Sequence, residues 1–155
     1  MKTKILLADD HALLRGGLRS LLEDEDDLTV VGEAANGREA IALVGQLAPD
    51  VVVMDVTMPE VDGIEATRRV TGEFPEVKVI ALTIHGGKRF VENMLGAGAA
   101  GYLLKDTPRE ALIQAIHDTL KTKIEACLFD RAARERAATR GESADPPILS
   151  RRAPG

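Results

Sequence analysis

Short apolar runs alternate with stretches of helical periodicity along the first 120 residues of the chain. The run Val51-Val52-Val53-Met54 is continuous and rich in β-branched valine, which predicts a strand buried on both faces of a parallel sheet. Similar runs predict strands at 5–8, 28–34, 77–82 and 102–104. Apolar residues three and four positions apart predict the helices between and after the strands, the first of them from Leu13, Leu14, Leu18, Leu21 and Leu22. Five β-α units predict a parallel sheet with helices on both faces and right-handed crossovers.

Polar residues follow four of the five predicted strands directly. Asp9 and Asp10 follow the first strand, Asp55 the third, Thr83 the fourth and Lys105 the fifth. The carboxyl ends of parallel strands lie at the same edge of a sheet, where ligands of such folds bind. We therefore expect these five side chains to converge.

The chemistry of the expected cluster indicates phosphoryl transfer. An isolated aspartate at a strand end is usually a solvated loop residue or a helix cap, and only the combination of these groups indicates a functional site. Crowded carboxylates repel one another unless a cation offsets their charge. Oxygen ligands without histidine or cysteine favour Mg²⁺ over zinc. A carboxylate nucleophile at Asp55, a metal ion and the cationic Lys105 together suit phosphoryl transfer onto Asp55.

Composition narrows the class of protein. The 155 residues are 45% hydrophobic, enough for a sizeable core, and the net charge of −5 argues against a general nucleic-acid binder. The charge is uneven, because residues 1–119 carry −8 and residues 120–155 carry +3. Cys127 is the only cysteine, which excludes an intrachain disulfide. With no signal peptide and no run near the roughly 18 apolar residues of a membrane span, we expect a soluble, cytoplasmic protein.

The motifs at the strand ends resemble those of one known family. The chain is similar to response-regulator receiver domains of the NarL/FixJ (LuxR) type of two-component systems, from residue 3 to about residue 120. The matching segments are Ile5-Leu6-Leu7-Ala8-Asp9-Asp10-His11, Asp55-Val56-Thr57-Met58-Pro59 with Asp62-Gly63, Leu82-Thr83, and Gly101-Tyr102-Leu103-Leu104-Lys105-Asp106. The resemblance implies a flavodoxin-like (CheY-like), doubly wound α/β fold whose five parallel strands have the order 2-1-3-4-5.

The resemblance also implies roles for the site residues. Asp55 would accept a phosphoryl group from a phosphohistidine on a sensor histidine kinase. Asp9 and Asp10 would hold Mg²⁺ together with Asp55 and the backbone carbonyl of Thr57. Such a domain catalyses only its own phosphorylation and dephosphorylation, so it is not an enzyme in the ordinary sense.

A conformational switch follows from the same resemblance. Lys105 would pair with a phosphoryl oxygen, the Thr83 hydroxyl would move toward the phosphoryl group, and Tyr102 would turn inward in response. The surface formed by the fourth helix, the fifth strand and the fifth helix would then change shape. The added charge pairs better in one of two arrangements and shifts the population toward it.

Several positions near the site depart from the commonest pattern of the family or have an open role. Ile84 is bulkier than the small residue found in many receivers, and Gly86-Gly87 replaces a loop that is often acidic. Thr57 and His85 occupy positions that influence the lifetime of the phosphoryl group. His11 could approach the acidic cluster, but a solvated loop histidine is the favoured interpretation.

The C-terminal part of the sequence has a different character. Residues 1–120 are expected to form the receiver domain, and residues 121–155 a helical extension and a linker. Relatives of this type continue into a helix-turn-helix output domain, through which they bind DNA. The resemblance also implies a homodimer on phosphorylation. After Pro147 too few residues remain for such a domain. Either the sequence is part of a longer protein, which we favour, or it is a regulator with little or no output domain.

Three functions are alternatives to transcriptional control. A stand-alone receiver would act through protein contacts without DNA. A haloacid-dehalogenase-like phosphatase also uses a strand-end aspartate and Mg²⁺, but it needs a second aspartate where Thr57 stands. A flavodoxin-like FMN carrier needs a hydroxyl- and glycine-rich phosphate loop after the first strand, where Asp9 and Asp10 would repel the phosphate.

Overall fold

The computed structural model describes residues 2–58, 61–83, 88–108 and 110–121. Strands and helices alternate along these residues. The strands are β1 Thr3–Ala8, β2 Leu28–Ala34, β3 Val51–Asp55, β4 Lys78–Thr83 and β5 Gly101–Leu104. The helices are α1 Ala12–Glu23, α2 Gly37–Leu47, α3 Gly63–Glu73, α4 Lys88–Gly96 and α5, residues 110–121. The alternation predicted from the sequence is confirmed.

The five strands form one parallel sheet in the order β2-β1-β3-β4-β5. The predicted strand order 2-1-3-4-5 is therefore confirmed. Asp55 pairs with Leu82 and Thr83 pairs with Leu104, so β3, β4 and β5 end at nearly the same level. This edge of the sheet carries the polar residues that the sequence analysis selected.

The core lies on both faces of the sheet because alternate residues of the central strands point to opposite sides. Leu6 and Val52 pack on the face covered by α2 and α3, whereas Leu7 and Val53 pack on the face covered by α1 and α5. Every residue of β3 is buried. Full burial of an aliphatic side chain of this size stabilises a fold by roughly 1.5–3 kcal/mol. The buried valine run therefore fixes the position of the carboxylate that ends it.

Helix α3 begins against the end of β3. The Asp62 side chain accepts a hydrogen bond from the N–H of Glu65 and caps the helix. The N–H of Gly63 donates to the carbonyl oxygen of Val56 at 2.9 Å. A Cβ atom at position 63 would collide with the main-chain carbonyl oxygen of Asp55, so only glycine allows this approach. The first turn of α3 is thus packed directly on the backbone of the residue that ends β3.

One expectation about α1 is wrong in detail. The leucine pattern placed Leu13 with the apolar residues of this helix, but Leu13 is 93% exposed. Leu22 is fully buried, and Leu18 and Leu21 pack against the core. Leu13 lies nine residues before Leu22, so at about 100° per residue the two side chains point to opposite sides of the helix.

Two other expectations concern the limits of the described chain. The helical extension predicted after residue 121, with Cys127, lies outside the described residues, as do Ile84, His85 and Gly86-Gly87. Among the described residues, no helix is long and apolar enough to cross a membrane.

The contact between α3 and β3 can be tested with two glycine substitutions in one helix. Gly63→Ala should lower the free energy of unfolding by about 2 kcal/mol or more, because the new methyl group meets backbone that cannot move aside cheaply. Gly72→Ala is the matched control, since a Cβ there meets nothing within 4 Å. It should raise the stability by about 0.5–1 kcal/mol through helix propensity. Urea unfolding measures both values, and equal effects of the two substitutions would contradict the proposed contact.

Candidate functional site

The structure brings side chains from three strand ends into one cluster. Asp9 follows β1 and is buried, and its N–H donates to the carbonyl oxygen of Ala34 at 2.9 Å. Asp55 ends β3 and is only 3% exposed. Nζ of Lys105, which follows β5, lies 3.3 Å from Oδ2 of Asp9 and 3.2 Å from Oδ2 of Asp55. The lysine therefore forms an ion pair with two carboxylates from different strands.

Asp10 and His11 complete the acidic side of this cluster. The N–H of His11 donates to Oδ1 of Asp9 at 2.8 Å. The ring atom Nδ1 of His11 lies 3.2 Å from Oδ1 of Asp9 and 3.2 Å from Oδ1 of Asp10. The favoured interpretation of His11 as a solvated loop residue needs correction. The side chain is 66% exposed, but it contacts two of the carboxylates.

Thr57 and Thr83 border the cluster on the two neighbouring strands. The N–H of Thr57 donates to Oδ1 of Asp55 at 3.2 Å. Thr83 ends β4 and is buried, and its carbonyl oxygen accepts a hydrogen bond from the N–H of Lys105 at 2.9 Å. Tyr102 lies one strand further along and is half-buried against a small cluster that includes Ala81. The roles given to these residues from the sequence stay predictions.

Burial and neighbouring charges shift the pKa of Asp55. The pKa of Asp55 is raised from an ordinary value of 3.8 to about 6, mainly by burial and then by the negative charge of Asp9. Lys105 and the N–H of Thr57 act in the opposite direction but do not restore the ordinary pKa. The site is thus short of positive charge, although Lys105 already contributes one.

A divalent cation fits this arrangement. Asp9, Asp10, His11 and Asp55 each offer one ligand atom, and these atoms all lie within 4.8 Å of one another. Oδ2 of Asp9 and Oδ2 of Asp55 are buried, form no well-aligned hydrogen bond in the described part of the chain, and share the ammonium group of Lys105 as their ion-pair partner. Two buried carboxylates that share one cation remain costly, and a bound metal ion offsets that cost.

A second layer of charge, which the sequence analysis missed, supports the acidic loop. The Arg15 guanidinium donates to the main-chain carbonyl oxygen of Asp9 and, through Nε, to Oε1 of Glu33 at 2.8 Å. NH1 of Arg19 donates to Oε2 of the same glutamate at 2.6 Å. The hydrogen bonds from Arg19 and Arg15 hold the pKa of Glu33 below its ordinary value. Arg15 alone of the two arginines connects this network to the site.

The fold and the site together define a class of protein, the receiver-type signalling domain. Residues 5–117 match the model of the response regulator receiver domain. The chain belongs to this family, and its relatives place it among receivers of the NarL/FixJ (LuxR) type.

Individual relatives agree with this assignment. The chain is 43% identical over 115 residues to the transcriptional regulatory protein DegU of Brevibacillus brevis, an alignment that covers 74% of this chain and 49% of DegU. It therefore spans about half the length of that relative. The crystal structure of a LuxR-family two-component response regulator from Aurantimonas sp. SI85-9A1 is 38% identical, with a TM-score of 0.75 over 79% of this chain and 87% of that one.

A further solved structure shows a relative together with nucleic acid. RcsB from Salmonella enterica serovar Typhimurium, bound to the promoter rprA in the presence of the phosphomimetic BeF3⁻, is 26% identical. Its TM-score is 0.70, over 77% of this chain and 99% of that one. The receiver fold of this chain is therefore shared with a DNA-bound response regulator.

The raised pKa of Asp55 predicts how stability depends on pH in the absence of metal ions. Because the folded-state pKa lies above the unfolded value, ionising Asp55 costs stability as the pH rises from about 4 to about 6. Asp55→Asn removes this cost, so at pH 8 it should be more stable than the wild type by roughly 1–3 kcal/mol. The difference should shrink toward pH 4, as urea unfolding with a chelator present would show. The exposed Asp106→Asn is the control and should show no such trend, and a less stable Asp55→Asn at pH 8 would contradict the electrostatic account.

The arginine network predicts unequal effects of two similar substitutions. Arg15→Ala removes a side chain that is only 16% exposed and leaves the Asp9 carbonyl without its donor, so a loss of about 1.5–3 kcal/mol is expected. Arg19→Ala breaks the salt bridge to the same glutamate, but the Arg19 side chain is 41% exposed, so the loss of stability should be below about 1 kcal/mol. Unfolding curves give both values. The amide NMR shift of His11 should move in Arg15→Ala alone; similar movement in both variants would refute the distinction.

Proposed function

We propose that this receiver domain accepts a phosphoryl group on Asp55 from a phosphohistidine of a sensor histidine kinase, in a Mg²⁺-dependent reaction. The observation that carries the proposal is the contact between the buried Asp55 carboxylate and Lys105 at 3.2 Å, beside the carboxylates of Asp9 and Asp10. This geometry combines a nucleophile, a cation for the incoming phosphoryl oxygens and a site for a metal ion.

The chain's own residues divide the reaction between them. A carboxylate oxygen of Asp55 attacks phosphorus as the bond from phosphorus to the kinase imidazole breaks, and the imidazole keeps the electron pair of that bond. With a pKa of about 6, Asp55 is mostly ionised at neutral pH and able to attack. Lys105 is positioned to pair with a phosphoryl oxygen, and the N–H of Thr57 restrains the Asp55 carboxylate. Mg²⁺, held by Asp9, Asp10, Asp55 and the carbonyl of Thr57, would neutralise charge on the phosphoryl oxygens.

The proposed output is a population shift that controls transcription. The Thr83 hydroxyl would turn toward the new phosphoryl group, and Tyr102 would follow, since Thr83 ends β4 and Tyr102 lies within the neighbouring strand β5. The surface of α4, β5 and α5 would then favour a homodimer. DNA binding would require an output domain beyond the receiver. DegU is a transcriptional regulatory protein and RcsB is bound to a promoter, which supports transcriptional output. These relatives favour transcriptional output over a stand-alone receiver that acts through protein contacts.

The extent of the receiver is part of the same proposal. The family match ends at residue 117, close to the predicted boundary at residue 120. We infer that residues 1–120 form the phosphorylated unit and that residues 121–155 connect it to its output.

Phosphorylation can be tested with a small acyl-phosphate donor and Mg²⁺, followed by intact mass measurement. The wild type should gain a single phosphoryl adduct, and Asp55→Ala should gain none because the nucleophile is absent. Asp106→Asn, an exposed aspartate beside Lys105, is the matched control and should keep the adduct. Omitting Mg²⁺ should slow the reaction strongly. An adduct that persists in Asp55→Ala would disprove the assignment of the acceptor, and steady turnover of unrelated phosphomonoesters would favour a phosphatase.

A further inference from the structure

His11 is the one member of the acidic cluster whose side chain the phosphorylation proposal does not use. Its backbone N–H donates to Oδ1 of Asp9, which holds the residue at the cluster whatever its ring does. The ring atom Nδ1 lies 3.2 Å from a carboxylate oxygen of Asp9 and from one of Asp10. The side chain is mostly exposed, so rotation of the ring is not blocked by packing.

The geometry allows this nitrogen to share one ion with the carboxylates. The four ligand atoms of Asp9, Asp10, His11 and Asp55 lie within 4.8 Å of one another. Two atoms that each lie about 2.1 Å from the same ion can be at most about 4.2 Å apart. A contraction of about 0.6 Å across the cluster is therefore enough, which small side-chain rotations provide.

Independent evidence for a ligand comes from the buried oxygens of the same cluster. Oδ2 of Asp9 and Oδ2 of Asp55 are buried and form no well-aligned hydrogen bond in the described part of the chain. Lys105 lies near both atoms but supplies only one positive charge to several carboxylates. Further positive charge would therefore stabilise these carboxylates, and the mostly exposed ring of His11 lies beside Asp9 and Asp10.

An imidazole nitrogen changes which ion such a cluster prefers. Mg²⁺ prefers oxygen ligands, whereas first-row transition ions also bind imidazole strongly. A site made of carboxylates alone is therefore less selective for Mn²⁺ or Co²⁺ over Mg²⁺ than a site of carboxylates with one nitrogen ligand. The identity of residue 11 thus affects ion selectivity more than it affects the presence of a site.

We propose that His11 supplies a nitrogen ligand to the divalent ion at Asp9, Asp10 and Asp55. This ligand increases the preference of the site for Mn²⁺ and Co²⁺ over Mg²⁺, compared with a site made of the carboxylates alone. The proposal rests on the metal site of the proposed function and adds a ligand and a selectivity to it. The ion that occupies the site in a cell would then depend on the supply of transition metal as well as of Mg²⁺.

The test uses the purified chain loaded with Mn²⁺ and pulsed electron paramagnetic resonance, which detects nitrogen directly bound to the ion. Nitrogen coupling should be present in the wild type and lost in His11→Ala. His117→Ala is the matched control, because His117 lies on α5 and pairs with Asp27, away from the cluster, so its removal should leave the coupling intact. His11→Gln serves as a second variant that keeps a polar side chain of similar size.

Titration with the metals alone provides a second measurement. Loss of His11 should weaken Co²⁺ binding about tenfold or more while changing Mg²⁺ binding less than about twofold. Equal weakening of both ions, or nitrogen coupling that survives in both His11 variants, would overturn the role of His11.

The outcomes also separate this inference from the proposed function. Mn²⁺ that binds without nitrogen coupling would refute the His11 ligand and leave the carboxylate site intact. A wild-type chain that binds neither Mn²⁺ nor Mg²⁺ would refute the metal site itself and both proposals with it. The phosphoryl adduct on Asp55 is measured separately by mass, so its presence or absence does not depend on the ligand at position 11.

Discussion

The structure depends on a balance between repulsion among buried carboxylates and the rigid backbone that holds them together. Asp9 and Asp55 are brought into contact range by β1 and β3, two neighbouring strands buried on both faces. Burial, and after it the negative charge of Asp9, raises the pKa of Asp55, and the ion pair with Lys105 only partly offsets this rise. Hydrophobic burial along the strands therefore maintains an electrostatic arrangement that would not persist in a flexible loop. A site held in this way gains most from any ligand that brings positive charge.

Much of the fold could be predicted because its signals are local and repeated. The valine run of β3 and the apolar runs of the other strands fix their burial, and five alternations of strand and helix leave few topologies. The convergence of Asp9, Asp55 and Lys105 followed from the same logic, since parallel strands deliver their C-terminal residues to one edge. The strand order itself came from the resemblance to a family, because periodicity does not determine which strands are neighbours.

Side-chain contacts between residues far apart in the sequence could not be predicted. Arg15 and Glu33 are 18 residues apart, and nothing in either segment indicates that the pair supports the carbonyl of Asp9. The same holds for His11, where exposure and contact with the carboxylates occur together, although a sequence pattern treats them as alternatives. Leu13 was placed with the apolar face of α1 because it is a leucine next to Leu14, although its position is on the side of the helix opposite the buried Leu22.

The hydrogen bond between the N–H of Lys105 and the carbonyl oxygen of Thr83 has a mechanical consequence. It is the last rung of the β4–β5 ladder, and it connects the main chain of Lys105, whose side chain contacts Asp55, to that of Thr83 at the end of β4. Moving the backbone of either residue would strain this hydrogen bond and displace the other residue as well. Rotation about side-chain bonds leaves the hydrogen bond intact and costs far less energy. Local rearrangement at this end of the sheet should therefore be rotational, with the strand ends acting as a fixed frame.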